Sequence, residues 1–164
     1  ADVEYWFGHG SGFAAQAAAY EPSTVVPANG MVTAIAVKGY AISGDRPGPG
    51  GSEPIRFTVA EPQPGGQLKV VTTTNPPFTL PGAPGGVTTF PMSQVSFKCC
   101  RVKAGDIVSL DARGGEFAVF GRAPGAVTET FTSGGLSQNE GVLWTGTPHQ
   151  GVELLMRVTE QPEE

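Results

Sequence analysis

The sequence predicts an all-β fold, an antiparallel β-sandwich of jelly-roll type with about ten short strands. Three observations lead there: runs of alternating apolar residues, β-branched content within those runs, and glycine- and proline-rich segments at fairly regular intervals between them. The 24 glycines and 15 prolines punctuate the chain and do not dominate it, because 39% of the residues are hydrophobic and recur in patterned runs. A disordered chain of this Gly and Pro content would lack that patterning.

The strand candidates begin with Met31 to Ile42, preceded by the turn pair Asn29-Gly30. Strict alternation places Met31, Thr33, Ile35 and Val37 on one face and Val32, Ala34, Ala36 and Lys38 on the other. Further runs follow at 55–60, 67–73, 87–90, 94–102, 107–111, 116–121, 126–132, 141–144 and 151–159. The segments 44–54, 61–66 and 75–86, with Gly114-Gly115 and Gly134-Gly135, read as turns, since each holds residues that fix φ or permit positive φ. In the final run, Val152, Leu154, Met156 and Val158 alternate with Glu153, Leu155, Arg157 and Thr159, so a slip of one residue would bury Glu153 and Arg157. The stretch Ser11 to Tyr20 is either a short helix capped by Ser11 and stopped before Pro22, or an ordered connection of small residues.

A chain of 164 residues is one domain's worth, able to bury roughly 70% of its unfolded surface. Residues 1–28 are expected to form an N-terminal strand and extension, and residues 29–164 the sandwich. Fifteen acids against ten bases give a net charge of -5, and no basic stripe is present, which disfavours nucleic acid as a partner. No run of about 20 apolar residues is present to span a membrane. The tail Glu160-Gln161-Pro162-Glu163-Glu164 reads as a solvated acidic cluster. A start at Ala1-Asp2 suggests that a signal peptide or tag has been removed, and few lysines with many Thr, Gly and Pro fit a secreted or cell-surface location.

No catalytic constellation, cofactor site or metal site is expected. His9 and His149 lack the spacing of zinc ligands, and Gly8-His9-Gly10-Ser11-Gly12 has Gly10 where a nucleophile elbow needs serine. Asp106 and Asp111 have opposite strand parity, so they do not form a carboxylate pair, and Lys103-Ala104-Gly105-Asp106 reads as a turn. Asp45, Glu53 and Asp106 lack the spacing of a calcium loop. The aromatics Trp6, Trp144, Tyr5, Tyr20, Tyr40 and Phe78 are candidates for a glycan platform, against a default of core.

Cys99 and Cys100 are adjacent. A disulfide between them must bridge Cα atoms about 3.8 Å apart, where about 5.5 Å is preferred. The alternative is one buried thiol and one exposed thiol available to another chain. Asp2 to Phe7 alternates, with Val3, Tyr5 and Phe7 on one face beside Trp6, and leads into the glycines of residues 8–12. Such a strand either pairs at the edge of its own sandwich or adds to the sheet of another chain.

The stretch 29–119, with its hydrophobic first strand, Pro-rich loops and the segment Val102-Lys103-Ala104-Gly105-Asp106-Ile107-Val108-Ser109-Leu110, is similar to uncharacterised exported bacterial β-sandwich proteins. That resemblance implies no activity. Residues 1–12 resemble the donor strand of extracellular filament subunits. The sequence therefore leads to an expectation of a structural subunit of an extracellular filament or surface assembly. Its partners would be copies of itself, joined by β-strand addition through Val3, Tyr5, Trp6 and Phe7. The alternative is a secreted binding module with a surface glycan or protein ligand.

Overall fold

The computed structural model describes residues 3–6, 14–15, 18–20, 25–42, 52–65, 67–76, 78–81, 86–95, 100–111, 116–118, 120–131, 143–144 and 147–163. Among them are sixteen strands, a 3₁₀ turn at Met92–Gln94 and no α-helix, so the all-β expectation holds with more strands than the runs suggested.

The first sheet has β4 (Gly30–Lys38) at its centre. Along one side β4 pairs with β16 (Met156–Pro162), which carries β1 (Val3–Trp6) at the sheet edge. Along the other it pairs with β9 (Val87–Pro91) and β10 (Arg101–Val102). The second sheet runs in the order β14 (Leu143–Trp144), β7 (Leu68–Thr73), β6 (Ser52–Pro62), β11 (Ile107–Asp111), β3 (Ala18–Tyr20), β13 (Phe120–Phe131) and β15 (Thr147–Leu154), with β8 (Phe78–Pro81) also on β6. A small third sheet joins β2 (Ala14–Ala15), β12 (Glu116–Ala118) and β5 (Tyr40–Ile42). Every pairing is antiparallel.

The two larger sheets meet through one hydrophobic core. Val32, Ile35, Val37, Phe90, Met156 and Val158 come from the first; Ile55, Phe57, Val59, Leu80, Val108 and Leu110 come from the second. The rings of Phe57, Phe78 and Phe90 form a triangle across the interface, with centroids 6.0, 5.7 and 5.1 Å apart and tilted planes. Such spacing is favourable beyond the area the rings bury. Phe78 is thus core and not a glycan platform, and the segment 75–86, expected to be a turn, carries β8 with Phe78 and Leu80 buried.

Three local departures from the expected pattern have physical causes. Strict alternation fails within β4: Gly30 and Val32 are buried, then Ile35 and Val37, so the inward parity switches midway. The switch coincides with a one-residue irregularity, because β16 pairs Thr159 with Ala34 and then Glu160 with Val32, leaving Thr33 as the extra residue. The final run is two strands in different sheets, β15 and β16, separated at Leu155, whose side chain is buried and whose carbonyl accepts the Lys38 N–H at 2.9 Å. The stretch 11–20 holds two short strands, β2 and β3. A helix of that length is marginal alone, while β3 has partner strands on both sides, β11 and β13, to satisfy its backbone.

The phenylalanine triangle generates a direct test. Phe57→Ala should lower stability by about 3–5 kcal/mol, because the cavity lies where the two sheets meet. Urea unfolding should show a lower midpoint with an unchanged slope.

Candidate assembly edge

β1 is held by one strand. Val3, Glu4, Tyr5 and Trp6 pair with Glu160, Thr159, Val158 and Arg157 of β16, and no described strand lies on the other side of β1. Val3 and Tyr5 occupy register positions opposite Glu160 and Val158, both buried; Glu4 and Trp6 stand opposite the half-buried Thr159 and Arg157. The residues expected to form an assembly strand thus share an edge, except Phe7, which lies outside the described residues. Within this chain β1 adopts the intramolecular pairing of the two arrangements open from sequence.

The strand that holds β1 carries an acid in the core. Glu160 continues the inward parity of Met156 and Val158 and is 0% exposed, which corrects its expected place in a solvated tail. Neither carboxyl oxygen has a hydrogen-bond partner. Burial alone pushes its carboxyl above the ordinary value of 4.5.

Room for this side chain comes from Gly30. A Cβ on Gly30 would lie 2.7 Å from Glu160 Oε2 and 2.8 Å from Pro162 Cα, and against the Gln161 carbonyl. Gly30 is therefore required by close approach of its neighbours, two of them backbone atoms that cannot rotate away. Beside it, Asn29 ties the loop to both neighbouring segments: its Oδ1 accepts the Ala104 N–H at 2.9 Å, and its carbonyl accepts the Glu163 N–H at 2.8 Å.

The segment Lys103 to Asp106 is a turn, as the sequence indicated. Gly105 sits at φ 92°, in the left-handed region that glycine enters without a Cβ penalty. Asp106 Oδ2 accepts the Lys103 N–H at 2.9 Å, and the Asp106 N–H donates to the Lys103 carbonyl at 3.0 Å. Val26 clamps the turn from the other side, its N–H donating to the Asp106 carbonyl and its carbonyl accepting the Gly105 N–H, both at 2.8 Å. Burial raises the Asp106 carboxyl, the bond from Lys103 opposes that rise, and the charge of Glu61 adds to it. The bond from Lys103 gives Asp106 a structural role in closing the turn.

Cys100 precedes β10, is buried, and its carbonyl accepts the Val32 N–H at 3.0 Å. It is disulfide-bonded, and the chain's only other cysteine is the adjacent Cys99, which lies outside the described residues.

The remaining candidates are dispersed. His149 stands opposite Thr128 in the β13–β15 ladder, Trp144 opposite Leu68 in β14–β7, Glu53 opposite Leu80 in β6–β8 and Asp111 opposite Arg56 in β11–β6. Tyr20 stands opposite Glu129 and Tyr40 opposite Ala118, in different sheets. His9 and Asp45 lie outside the described residues. Among the described residues no three of His, Cys, Asp and Glu gather as a metal site, and no helix is long and apolar enough to cross a membrane. No protein-family model, curated protein or solved structure matches the chain.

Two substitutions test the seat of Glu160. Gly30→Ala should destabilise by about 1–3 kcal/mol through overpacking against backbone. Gly86→Ala, where an added Cβ meets nothing within 4 Å, should stay within about 0.5 kcal/mol of the parent in the same urea titration. Because the Glu160 carboxyl titrates higher in the folded chain than in the unfolded one, the folded state holds its proton more tightly. Its stabilising contribution is complete below 4.5 and is lost as pH rises through the raised value. Glu160→Gln removes that loss, so the variant should match the parent near pH 4 and exceed it by about 1–3 kcal/mol near pH 8, read from denaturation midpoints at both.

Proposed function

We propose that the protein is a structural subunit of an extracellular assembly, built by exchange of β1 between copies of the chain. The observation that carries this reading is the isolation of β1: it is a four-residue strand at a sheet edge, paired among the described strands to β16 alone.

Exchange of such a strand alters no pairing. The same register from Val3 to Trp6 against Arg157 to Glu160 forms whether β1 belongs to the same chain or to its neighbour. The equilibrium then depends on concentration and on the crossover segment, which is why swapped elements are a low-cost route to assembly. Seven residues separate Trp6 from Ala14, a reach of at most about 25 Å. Gly8, Gly10 and Gly12 among them carry no side chain to restrict the crossover. Head-to-tail exchange gives an open chain of subunits, and reciprocal exchange a closed dimer. The β16 edge that β1 leaves behind is a row of unpaired backbone groups, so a vacated subunit has reason to capture another β1.

Cysteines placed at the register pair Glu4 and Thr159 read the pairing directly. Upon oxidation at raised protein concentration, Glu4→Cys/Thr159→Cys should give covalent multimers on a non-reducing gel, and the chain lacking residues 1–12 should remain a folded monomer. Crosslinked monomers alone at every concentration, or assembly that survives the deletion, would overturn the reading.

A further inference from the structure

The hold of β16 on β1 begins at a residue whose side chain is poorly accommodated. Glu160 is the register partner of Val3, is fully buried, and offers two carboxyl oxygens to which nothing donates. Groups on the neighbouring strands explain this. In β4 the inward positions beside it are Gly30 and Val32, and in β16 they are Val158 and Pro162; none of these titrates. In β10 and just before it they are Val102 and the disulfide-bonded Cys100. In β1, Val3 stands opposite, and Glu4 stands opposite Thr159. Charged residues of the same strands occupy the alternate positions: Arg157 in β16, and Arg101, which pairs with Glu163 at 2.9 Å on the exposed side. The turn beyond β10 carries Lys103, exposed, and Asp106, which closes that turn. Among the described residues, burial is the cause that acts on its carboxyl.

The backbone beneath this acid is already discontinuous. From Met156 to Thr159, β16 runs in register with β4; between Thr159 and Glu160 the register slips by the extra residue Thr33, whose Oγ1 donates to the Thr159 carbonyl at 3.3 Å. The terminal piece Glu160–Pro162 can turn outward at this slip while the pairs from Met156 to Thr159 stay intact. Such a movement gives up the pairs of Glu160, Gln161 and Pro162 with β4 and the Glu163 contacts to Asn29 and Arg101, breaks the Val3–Glu160 pair with them, and leaves β1 attached through Glu4 to Trp6.

We propose that Glu160 is a proton-operated latch on β1: protonated, it stays seated over Gly30 and keeps all of β1 paired; ionised, it turns out with the end of β16, opens the Val3 pair and loosens β1 for exchange. The latch deepens the strand-exchange reading and rests on it only in the final step, since release and capture are separate events. Its direction follows from the burial of a group that is neutral with its proton and charged without it. Rising pH opens the latch and falling pH closes it.

Hydrogen–deuterium exchange of the full chain tests this at a series of pH values, with rates corrected for intrinsic exchange. Between about pH 4 and about pH 8, protection of the amides at residues 3–6 should fall at least about fivefold, the lower bound set by an unsatisfied buried group. Residues 55–60 of β6 should keep their protection, and Glu160→Gln should make the β1 response flat. The same pH dependence in parent and variant, or none in the parent, would overturn the latch. Should Glu160→Gln not fold, the side-chain carboxyl of Glu160 can be titrated by carbon-detected NMR in the parent; a midpoint at or below 4.5 overturns the proposal, and one above it upholds it. The cysteine pair at 4 and 159 separates the two readings. Loss of protection with only intramolecular crosslinks upholds the latch and removes exchange, whereas multimer crosslinks with pH-independent protection remove the latch and leave exchange.

Discussion

The one-residue slip between β4 and β16 is the constraint on which the edge of this sandwich depends. Had the ladder continued regularly from Thr159 opposite Ala34, Glu160 would stand opposite Thr33 and within range of a hydroxyl donor. The slip places it opposite Val32, with Gly30 next on the inward side, and neither side chain can donate. Thr33 spends its hydroxyl on the Thr159 carbonyl. An extra residue in one strand thus decides that a carboxyl in the next is enclosed without a partner. It does so at the residue where β1 begins its pairing.

Much of the fold was legible because backbone periodicity and turn chemistry are local. Alternation at Val3 to Trp6 identified a strand, Gly105 a turn, and the β-branched run after Gly30 another strand. The slip was not legible, since Val32, Ala34 and Ala36 are nearly as apolar as Met31, Thr33 and Ile35, and both registers suit the same residues. Leu155 hid the passage from β15 to β16 similarly: an apolar residue on the polar parity lets one alternating run continue across two sheets. Two expected strands, 116–121 and 126–132, are redrawn by β13, which runs from Phe120 through Pro124-Gly125 to Phe131 with a register shift between Arg122 and Val127. Proline and glycine there mark a bulge and not a strand end.

The candidate edge was half legible. Residues 3–6 were identifiable from alternation ahead of a glycine-rich segment, whereas their partner was not, because pairing with the last strand is a contact across the whole chain. Glu160 carried a readable signal: the parity of Met156 and Val158 extended by one more step falls on it. Charge composition argued the other way, since an acid beside Gln161, Pro162, Glu163 and Glu164 reads as solvated. Strand parity prevailed over composition because Gly30 leaves space for the carboxyl.

Nothing in the packing of the sandwich requires an acid at position 160. Methionine or leucine would fill the space over Gly30 without a polar atom to desolvate, and apolar replacement of buried charge is commonly neutral or stabilising. What a carboxyl has and those side chains lack is a charge that one proton removes without altering its shape. At the centre of β4 that property would endanger the whole core, because ionisation would strain strands paired on both sides. At Glu160 the strain has an outlet: the slip lies beside it, and the pairs that must yield are the short stretch from Glu160 to Pro162 against β4 and the first pair of the edge strand β1. A switchable charge is tolerable where its penalty falls at a sheet edge, and at Glu160 an edge strand, a backbone irregularity and a buried acid coincide.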